Sequence, residues 1–151
     1  MTWVVRRCDF TVETRGFCDM KNITGEIQTA VDQAGLEEGL ALVFVPGSTA
    51  GLTAIEYEGG ALQDFRDAVQ RMAPEGIPYK HDARWGDGNG FAHVRAALLG
   101  PSLCMPVAMG KLCLGSWQQA LLVDFDNRER KRKVTVTLLG EGEPETKGGK
   151  P

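Results

Sequence analysis

The chain has 151 residues, of which 42% are hydrophobic and 25% charged, and its net charge is −3. This length and composition suit one globular domain with its own core and exclude a disordered chain. The acidic balance argues against a dedicated nucleic-acid-binding protein. No apolar run approaches the roughly 20 residues that cross a bilayer, and the first residues lack the layout of a signal peptide. We therefore expect a cytoplasmic protein with neither a membrane nor a nucleic-acid partner.

The first half of the chain shows strand patterns around one helix pattern. Residues 3–14 are rich in Val, Thr and aromatic side chains and predict one long strand or a hairpin. An apolar stripe of helical period over 24–35 predicts a helix that ends at a glycine. The continuous apolar run 40–45 predicts a buried strand, followed by a small-residue loop over 46–51. Residues 52–57 are expected to return as a strand.

The second half contains two more predicted helices around an irregular segment. The first covers about 62–72 and stops before Pro74, and the second covers about 89–99 and stops at Gly100. Residues 76–90 between them contain glycine and proline and show little periodicity. Apolar runs predict the remaining strands at 103–107, 112–126 and 133–139. Because strands and helices do not alternate regularly, we expect an α+β fold: one domain over 1–140 with a mobile tail over 141–151.

The four cysteines, Cys8, Cys18, Cys104 and Cys113, are too far apart for CxxC metal knuckles. Without a signal for export they are expected to be reduced structural thiols, with a metal or redox role as the alternative. The two histidines are more informative because they are so few. A long irregular segment inside a compact domain usually serves a function, and His81 lies within it while His93 follows it closely.

A helix that begins near Asn89 places Asn89 and His93 one turn apart on the same face. Phe91, Val94 and Leu98 would then form a separate stripe that faces the core. His93 is expected in a functional site, and the alternative is a structural histidine bonded to backbone.

A divalent metal is one use for this segment. Catalytic zinc takes three protein ligands, and the two histidines with one of Asp82, Asp87 or Glu56 would supply them. Magnesium held by carboxylates and water is the physical alternative.

A phosphate site is a second use. The loop over 47–51 offers backbone amides and the hydroxyls of Ser48 and Thr49, and Arg95 with Lys80 or Arg84 would add positive charge. The loop is not a Walker sequence, and a tight turn that needs small residues is the alternative. The basic run over 128–133 is interpreted as a solvated turn.

Trp117 and Gln118 provide a ring and an amide in an otherwise apolar strand region. The indole of Trp117 would wall a pocket for a flat ring while Gln118 supplies hydrogen bonds. Plain core packing of Trp117 is the alternative.

Several sequence blocks in the same order together resemble the YjbQ family, also called the secondary thiamine-phosphate synthase family. They are Phe44-Val45-Pro46, Ser48 to Thr53 with Glu56, Tyr79-Lys80-His81, Asp87 to His93, Ala97 to Gly100, Leu114 to Gln118, Asp124-Phe125-Asp126 and Gly140-Glu141. Asn22-Ile23-Thr24 fits as well. The resemblance implies a small α+β protein with a sandwich-like β core and about three helices, assembled as a homotrimer. It also implies a metal-associated site of histidines and acids and a weak thiamine-phosphate synthase activity.

The chain departs from the family pattern at two positions. Gly47 stands where the family has a histidine after the Val-Pro pair, and Ile55 stands where an asparagine precedes the glutamate. A site without that histidine is expected to bind zinc or magnesium weakly, to recruit Asp82 or Glu56, or to be empty.

The resulting hypothesis is a thiamine-phosphate synthase-like transferase that acts on a small phosphorylated molecule. Its catalytic residues would be His81, His93 and Glu56, and its metal ligands His81, His93 and Asp82. Its substrate-binding residues would be Ser48, Thr49, Asn89, Arg95, Trp117 and Gln118. The alternatives are a non-catalytic trimer that binds a small anion and a metal-dependent phosphate-ester hydrolase.

Overall fold

A computed structural model describes residues 1–143, and of the tail predicted over 141–151, residues 144–151 lie outside them. These residues form four helices, α1 (Thr24–Ala34), α2 (Gly59–Met72), α3 (Lys80–Trp85) and α4 (Gly90–Leu99). The strands in the same region are β1 (Thr2–Thr14), β2 (Asp19–Asn22), β3 (Leu36–Phe44), β4 (Ala50–Glu56), β5 (Ser102–Ala108), β6 (Lys111–Leu112), β7 (Gln118–Asp124) and β8 (Arg130–Gly142).

The strands build two antiparallel sheets. One has five strands in the order β1-β8-β3-β5-β6, and the other has three in the order β2-β7-β4. The predicted α+β class with a sandwich-like β core is confirmed. The strand β8 continues to Gly142, two residues beyond the predicted end of the domain.

The small sheet forms the middle layer of the molecule, and its central strand β7 is buried on both faces. Ala120 and Leu122 pack into the core shared with the large sheet and α1. Leu121 and Val123 point the opposite way into a second core, which they share with α2 and α4. Successive side chains of a strand alternate between faces, so a continuous apolar run is what a doubly covered strand needs.

The apolar run on β3 has a different cause. Ala41 and Val43 are fully buried, whereas Leu40, Leu42 and Phe44 are more than 40% exposed. The prediction of a strand buried on both faces was therefore wrong for β3. Its outward apolar residues belong to a larger patch, which we call the outer sheet face and define by Val5, Leu40, Leu42, Phe44 and Leu139. Val5 and Leu40 flank Leu139 in the sheet register.

The irregular segment over 76–90 contains the short helix α3, which the sequence pattern did not reveal. The helix packs against α4 because residue 90 is a glycine. A β-carbon on Gly90 would lie 2.5 Å from the Cβ of Tyr79, so a larger residue would push the two helices apart. Among residues 1–143, no helix has the length and apolar character to span a membrane.

Candidate functional site

An open groove of about 570 Å³ lies where α3 and α4 meet the loop after β3 and the start of β8. We call it the histidine groove. Its lining residues are Gly47, Ser48, Thr49, His81, Trp85, Asp87, Asn89, His93, Arg130 and Arg132. The groove therefore collects residues from both halves of the chain, including both histidines.

The rings of the two histidines lie side by side in the wall of the groove. His81 lies in the first turn of α3 and His93 in the first turn of α4, and their ring centroids are 4.3 Å apart with a 41° tilt. The two histidines that the sequence analysis assigned to one metal site therefore do lie side by side. Asn89 precedes α4, and its carbonyl accepts a bond from the His93 N–H at 3.4 Å, so the two residues share one face as predicted.

Two carboxylates surround the Nδ1 atom of His81. The Oδ1 of Asp87 lies 3.3 Å from it and the Oδ1 of Asp82 lies 3.6 Å from it. The Nδ1 atom is buried and makes no hydrogen bond within the described chain. One ligand atom from each residue falls within 4.8 Å of the others, which is a spacing that a divalent ion can bridge. Asp82 is further fixed because its Oδ1 accepts the Gly90 N–H at 2.8 Å.

These three groups fit a divalent cation by chemistry as well as by spacing. One imidazole and two carboxylates suit zinc, and the carboxylates alone suit magnesium with retained water. The set differs from the predicted ligands, because Asp87 joins His81 and Asp82 where His93 was expected. His93 remains beside the site through its ring contact with His81.

The floor of the groove rests on two buried aspartates at the end of β7. Asp124 is fully buried and accepts two bonds from Arg132, from Nε at 2.7 Å and from Nη2 at 2.8 Å. Thr14 adds a hydroxyl bond to the same carboxylate at 2.5 Å. This bidentate arrangement fixes the guanidinium of Arg132 under the groove.

Asp126 is the second buried aspartate and is bound even more completely. Burial raises the pKa of its carboxyl, but hydrogen bonds from Asn89, Arg130, the Asn127 N–H and Thr49 outweigh this and lower the pKa to about 2. Arg130 makes the shortest of these contacts, with Nη2 at 2.6 Å from Oδ2. The carboxylate is therefore ionised at neutral pH and holds Arg130 in place.

The basic run over 128–133 is thus only partly the solvated turn predicted from the sequence. Arg128 is exposed, but Arg132 is 8% exposed and Arg130 is partly buried. β8 begins at Arg130, and side chains two apart on a strand point to the same face, so both guanidiniums turn inward together. The sequence reasoning missed them as site residues.

The loop after β3 supplies the rim. Thr49 is buried, and its hydroxyl donates to Asp126 at 3.0 Å and accepts from Arg132 at 2.7 Å. Both hydrogen bonds of the Thr49 hydroxyl go to residues at the floor of the groove. This geometry therefore favours a structural role for the hydroxyl over the predicted direct contact with substrate. Ser48 is exposed, and its hydroxyl has no hydrogen bond within residues 1–143. A β-carbon on Gly47 would lie 3.0 Å from the Nη1 of Arg132.

Arg95, predicted to bind phosphate, does not face the groove. It is 3% exposed and points away, donating to the Ala73 carbonyl at 2.9 Å and to Gln70 at 2.7 Å. Residues two positions apart in a helix are separated by about 200° around its axis, so His93 and Arg95 lie on nearly opposite faces of α4. Arg95 ties α4 to α2, and the predicted phosphate contact of this residue is wrong for that reason.

Three other predicted residues lie at the far end of the small sheet. Glu56 ends β4 and pairs in register with Gln118, which begins β7. Glu56 and Trp117 line a separate cavity of about 400 Å³. Seven residues of extended β4 span roughly 20 Å, so within one chain these residues do not join His81 and His93.

The charge of the histidine groove follows from its bonded partners. Arg130 is paired with Asp126, and Arg132 is paired with Asp124. Within the described chain, neither Asp82 nor Asp87 is paired with a lysine or an arginine, and both lie beside the imidazole of His81. Asp82 and Asp87 therefore bring two negative charges that no lysine or arginine among residues 1–143 offsets. The groove is therefore short of positive charge at the point where His81 meets its two carboxylates.

Comparison with known proteins places this geometry in a family. The model of the family described as UPF0047 protein YjbQ-like matches residues 8–141. A UPF0047 protein of Archaeoglobus fulgidus is 37% identical over 131 residues, which cover 87% of this chain and 99% of that protein. A UPF0047 protein of Mycobacterium tuberculosis is 34% identical, and the match covers 89% of each chain.

Solved structures agree with these matches. The crystal structure of a YbjQ-like protein from Sulfolobus solfataricus, described as of unknown function, has a TM-score of 0.88 and 33% identity and covers 93% of this chain and all of its own. A hypothetical protein of Aeropyrum pernix gives a TM-score of 0.83 at 32% identity, covering 90% of this chain and 99% of its own. The chain therefore belongs to the UPF0047 (YjbQ-like) family.

Proposed function

We propose that the histidine groove binds a small phosphorylated molecule together with a divalent cation and catalyses a transfer that expels pyrophosphate. The observation that carries the proposal is the buried, unbonded Nδ1 of His81 between two carboxylates, in the same groove as the guanidiniums of Arg130 and Arg132. The histidine wall thus offers ligands for a metal ion, and the arginines at the floor offer donors for phosphoryl oxygens.

The arginines are held ready for this task by the aspartates below them. Two of the Arg132 nitrogens are bound to Asp124 and Thr49, while Nη1 lies next to Gly47 at the groove surface. A guanidinium fixed by one carboxylate can still donate to a phosphate through its remaining N–H groups. Ser48 adds a free hydroxyl on the same rim, and the absence of a side chain on Gly47 leaves room for the anion.

His81, Asp82 and Asp87 would hold the cation. When bound, a divalent ion neutralises a diphosphate and stabilises the charge on the departing pyrophosphate. His93 would hold or transfer a proton at the reacting group, since its ring adjoins the ligand set without belonging to it. The deficit of positive charge in the groove means that anion binding depends on the cation.

The finer form of the proposal is a thiamine-phosphate synthase-like reaction. The bond between a pyrimidine methylene carbon and its diphosphate oxygen breaks, pyrophosphate leaves with the electron pair, and a thiazole phosphate nitrogen attacks the carbon. The guanidiniums would stabilise the leaving group, and Trp85, which is exposed on the groove wall, would lie against a ring. Cleavage of a phosphate ester by water is the alternative that the same residues serve.

A non-catalytic anion-binding role is the second candidate, and Gly47 favours it. A missing ligand side chain lowers metal affinity, while the arginines retain donors for an anion. The two roles differ in what an anion requires: the enzyme needs the cation to bind pyrophosphate, and the simple anion binder does not.

Calorimetric titration with pyrophosphate, with and without magnesium or zinc, distinguishes these roles. We expect saturable binding only with the cation, and at least about tenfold weaker binding in Arg130→Gln than in the matched Arg128→Gln. Equal binding without a cation supports the anion binder, and no binding in either condition contradicts both. Formation of thiamine phosphate from the two substrates, reduced about 100-fold in His93→Gln, tests the finer proposal.

The assembly belongs to the same proposal. A homotrimer would cover the outer sheet face, whose Leu40, Leu42 and Phe44 are unusual in their exposure for a single chain. Light scattering of the purified protein should report three chains, and a monomer at micromolar concentration would contradict this. A cytoplasmic location remains a prediction.

A further inference from the structure

The second cavity, at the far end of the small sheet, is independent of the histidine groove. Its lining residues are Asn22, Glu56, Tyr57, Glu58, Ser116, Trp117 and Gln119. We call it the aromatic pocket. Two carboxylates, two aromatic rings and no basic side chain line it. The pocket is reached from one end of β4 and β7, and the histidine groove from the other.

The aromatic rings of this pocket are exposed to an unusual degree. Trp117 is 76% exposed and Tyr57 is 47% exposed. An exposed aromatic ring forgoes the favourable free energy of removing its surface from water. Exposed rings that line the same cavity therefore indicate a binding surface. Ordinary core packing, the alternative considered for Trp117, is excluded by this exposure.

The pocket is also built rather than left open by a loose loop. The Gln118 N–H donates to the Gly115 carbonyl at 3.0 Å, and the Gly115 N–H donates to the Gln118 side chain at 3.0 Å. These reciprocal bonds close the turn that presents Trp117. Across the cavity, the Asn22 amide donates to Gln119 at 3.0 Å and fixes the neighbouring wall.

The two carboxylates of the pocket are in different states. Glu58 caps α2, accepting the N–H groups of Gly60 at 2.7 Å and Ala61 at 2.9 Å. These bonds hold the pKa of Glu58 below its usual range, so its charge is present and is compensated by the helix terminus. Glu56 makes no side-chain hydrogen bond or ion pair within residues 1–143, so its negative charge is available to a ligand.

We infer that the aromatic pocket binds a small organic cation, with Trp117 and Tyr57 contacting its charged methyl or ring face and Glu56 balancing its charge. Aromatic faces attract cations, and weakly hydrated cations such as quaternary ammonium groups are the ones that gain most from them. A concave cavity of about 400 Å³ suits a small molecule. The absence of a basic residue from its lining argues against an anion.

Nuclear magnetic resonance with tetramethylammonium chloride as the probe tests this inference. The indole N–H signal of Trp117 is identified by its loss in Trp117→Phe and followed during titration at constant ionic strength. We expect a saturable shift with tetramethylammonium. Sodium chloride, and tert-butyl alcohol as a neutral molecule of similar shape, should produce none.

Two variants test the assigned contacts. Glu56→Gln should weaken the binding of tetramethylammonium about fivefold. Glu129→Gln, which removes one exposed carboxylate at the opposite end of the molecule, should leave it unchanged. Tyr57→Leu should weaken binding by a similar factor to Glu56→Gln. A thermal unfolding curve like that of the parent protein shows for each variant that the fold is intact.

Three results would overturn the inference: no shift with tetramethylammonium, an equal shift with tert-butyl alcohol, or equal affinity in the two glutamate variants. An indole of Trp117 that acrylamide cannot quench would be covered by protein and would overturn it as well. Binding of pyrophosphate in the histidine groove is measured separately, so either proposal can fail while the other stands.

Discussion

The buried carboxylate of Asp126 should make the stability of the fold depend on pH in a calculable way. Its pKa falls from an ordinary 3.8 to about 2. Such a difference corresponds to about 2 kcal/mol of stability. A carboxyl whose pKa is lowered in the folded state contributes its full stabilisation at pH values above its pKa in the unfolded state. That contribution declines as the pH falls toward 2, and about 1 kcal/mol of it is lost by pH 3.

The substitution Asp126→Asn isolates this contribution because it removes the charge and keeps the shape. At pH 7 it should lower the free energy of unfolding by at least about 2–3 kcal/mol, since Arg130 loses its partner. The deficit relative to the parent protein should shrink by about 1 kcal/mol at pH 3, where the parent carboxylate begins to be protonated.

Urea unfolding followed by circular dichroism at pH 7 and pH 3, at one protein concentration, measures both values. Asp64→Asn on the exposed face of α2 is the matched control and should change stability by less than about 0.5 kcal/mol at either pH. A deficit in Asp126→Asn that is the same at both pH values would refute the reasoning. It would mean that the hydrogen bonds do not depend on the charge of the carboxylate.

Three further predictions concern helix packing, assembly and metal. Gly90→Ala should lower the free energy of unfolding by about 1–3 kcal/mol because the new β-carbon meets Tyr79. Gly59→Ala is the control, and it should be neutral or slightly stabilising because the space around Gly59 is open. Thermal unfolding of the two variants compares these effects. Leu40→Lys should convert the proposed trimer to smaller species in light scattering, and an unchanged mass contradicts its place in the interface. Asp87→Asn should weaken zinc binding about tenfold in calorimetry, and unchanged affinity would exclude it as a ligand.

The sequence predicted the elements whose burial follows one period. β1 lies close to its predicted bounds because its Val, Thr and aromatic residues favour a strand, and α1 does so because its apolar stripe follows the helical period. The prediction for α4 was less successful. Val94 and Leu98, expected in the core, are exposed, whereas Ala92 and Ala96 are buried. Close approach of α4 to the small sheet favours small residues, and a search for large apolar side chains misses such a face.

The site was predicted where the chain is locally unusual and missed where it depends on distant contacts. The scarcity of histidine led directly to His81 and His93. The buried aspartates and arginines were overlooked because a charge run on an apolar strand normally stays in water. A signal was present, since Asp124 and Asp126, like Arg130 and Arg132, are spaced two apart and so share a face. Knowing that these faces meet requires the positions of the end of β7 and the start of β8 in space, and these strands belong to different sheets, which no local pattern reveals.

The surroundings of Gly47 bear on the expected departure from the family pattern at this position. The φ angle of Gly47 is 156°, a value that residues with a β-carbon rarely adopt, and its missing side chain would point at the Nη1 of Arg132. A histidine at this position would therefore need a changed backbone and a displaced guanidinium. Because Asp124 and Thr49 hold that guanidinium in place, introducing a histidine would disturb the buried network. The rim thus presents a fixed hydrogen-bond donor where an imidazole would present an acceptor, and for this reason our proposal assigns the anion to the rim and the metal to the carboxylates beside His81.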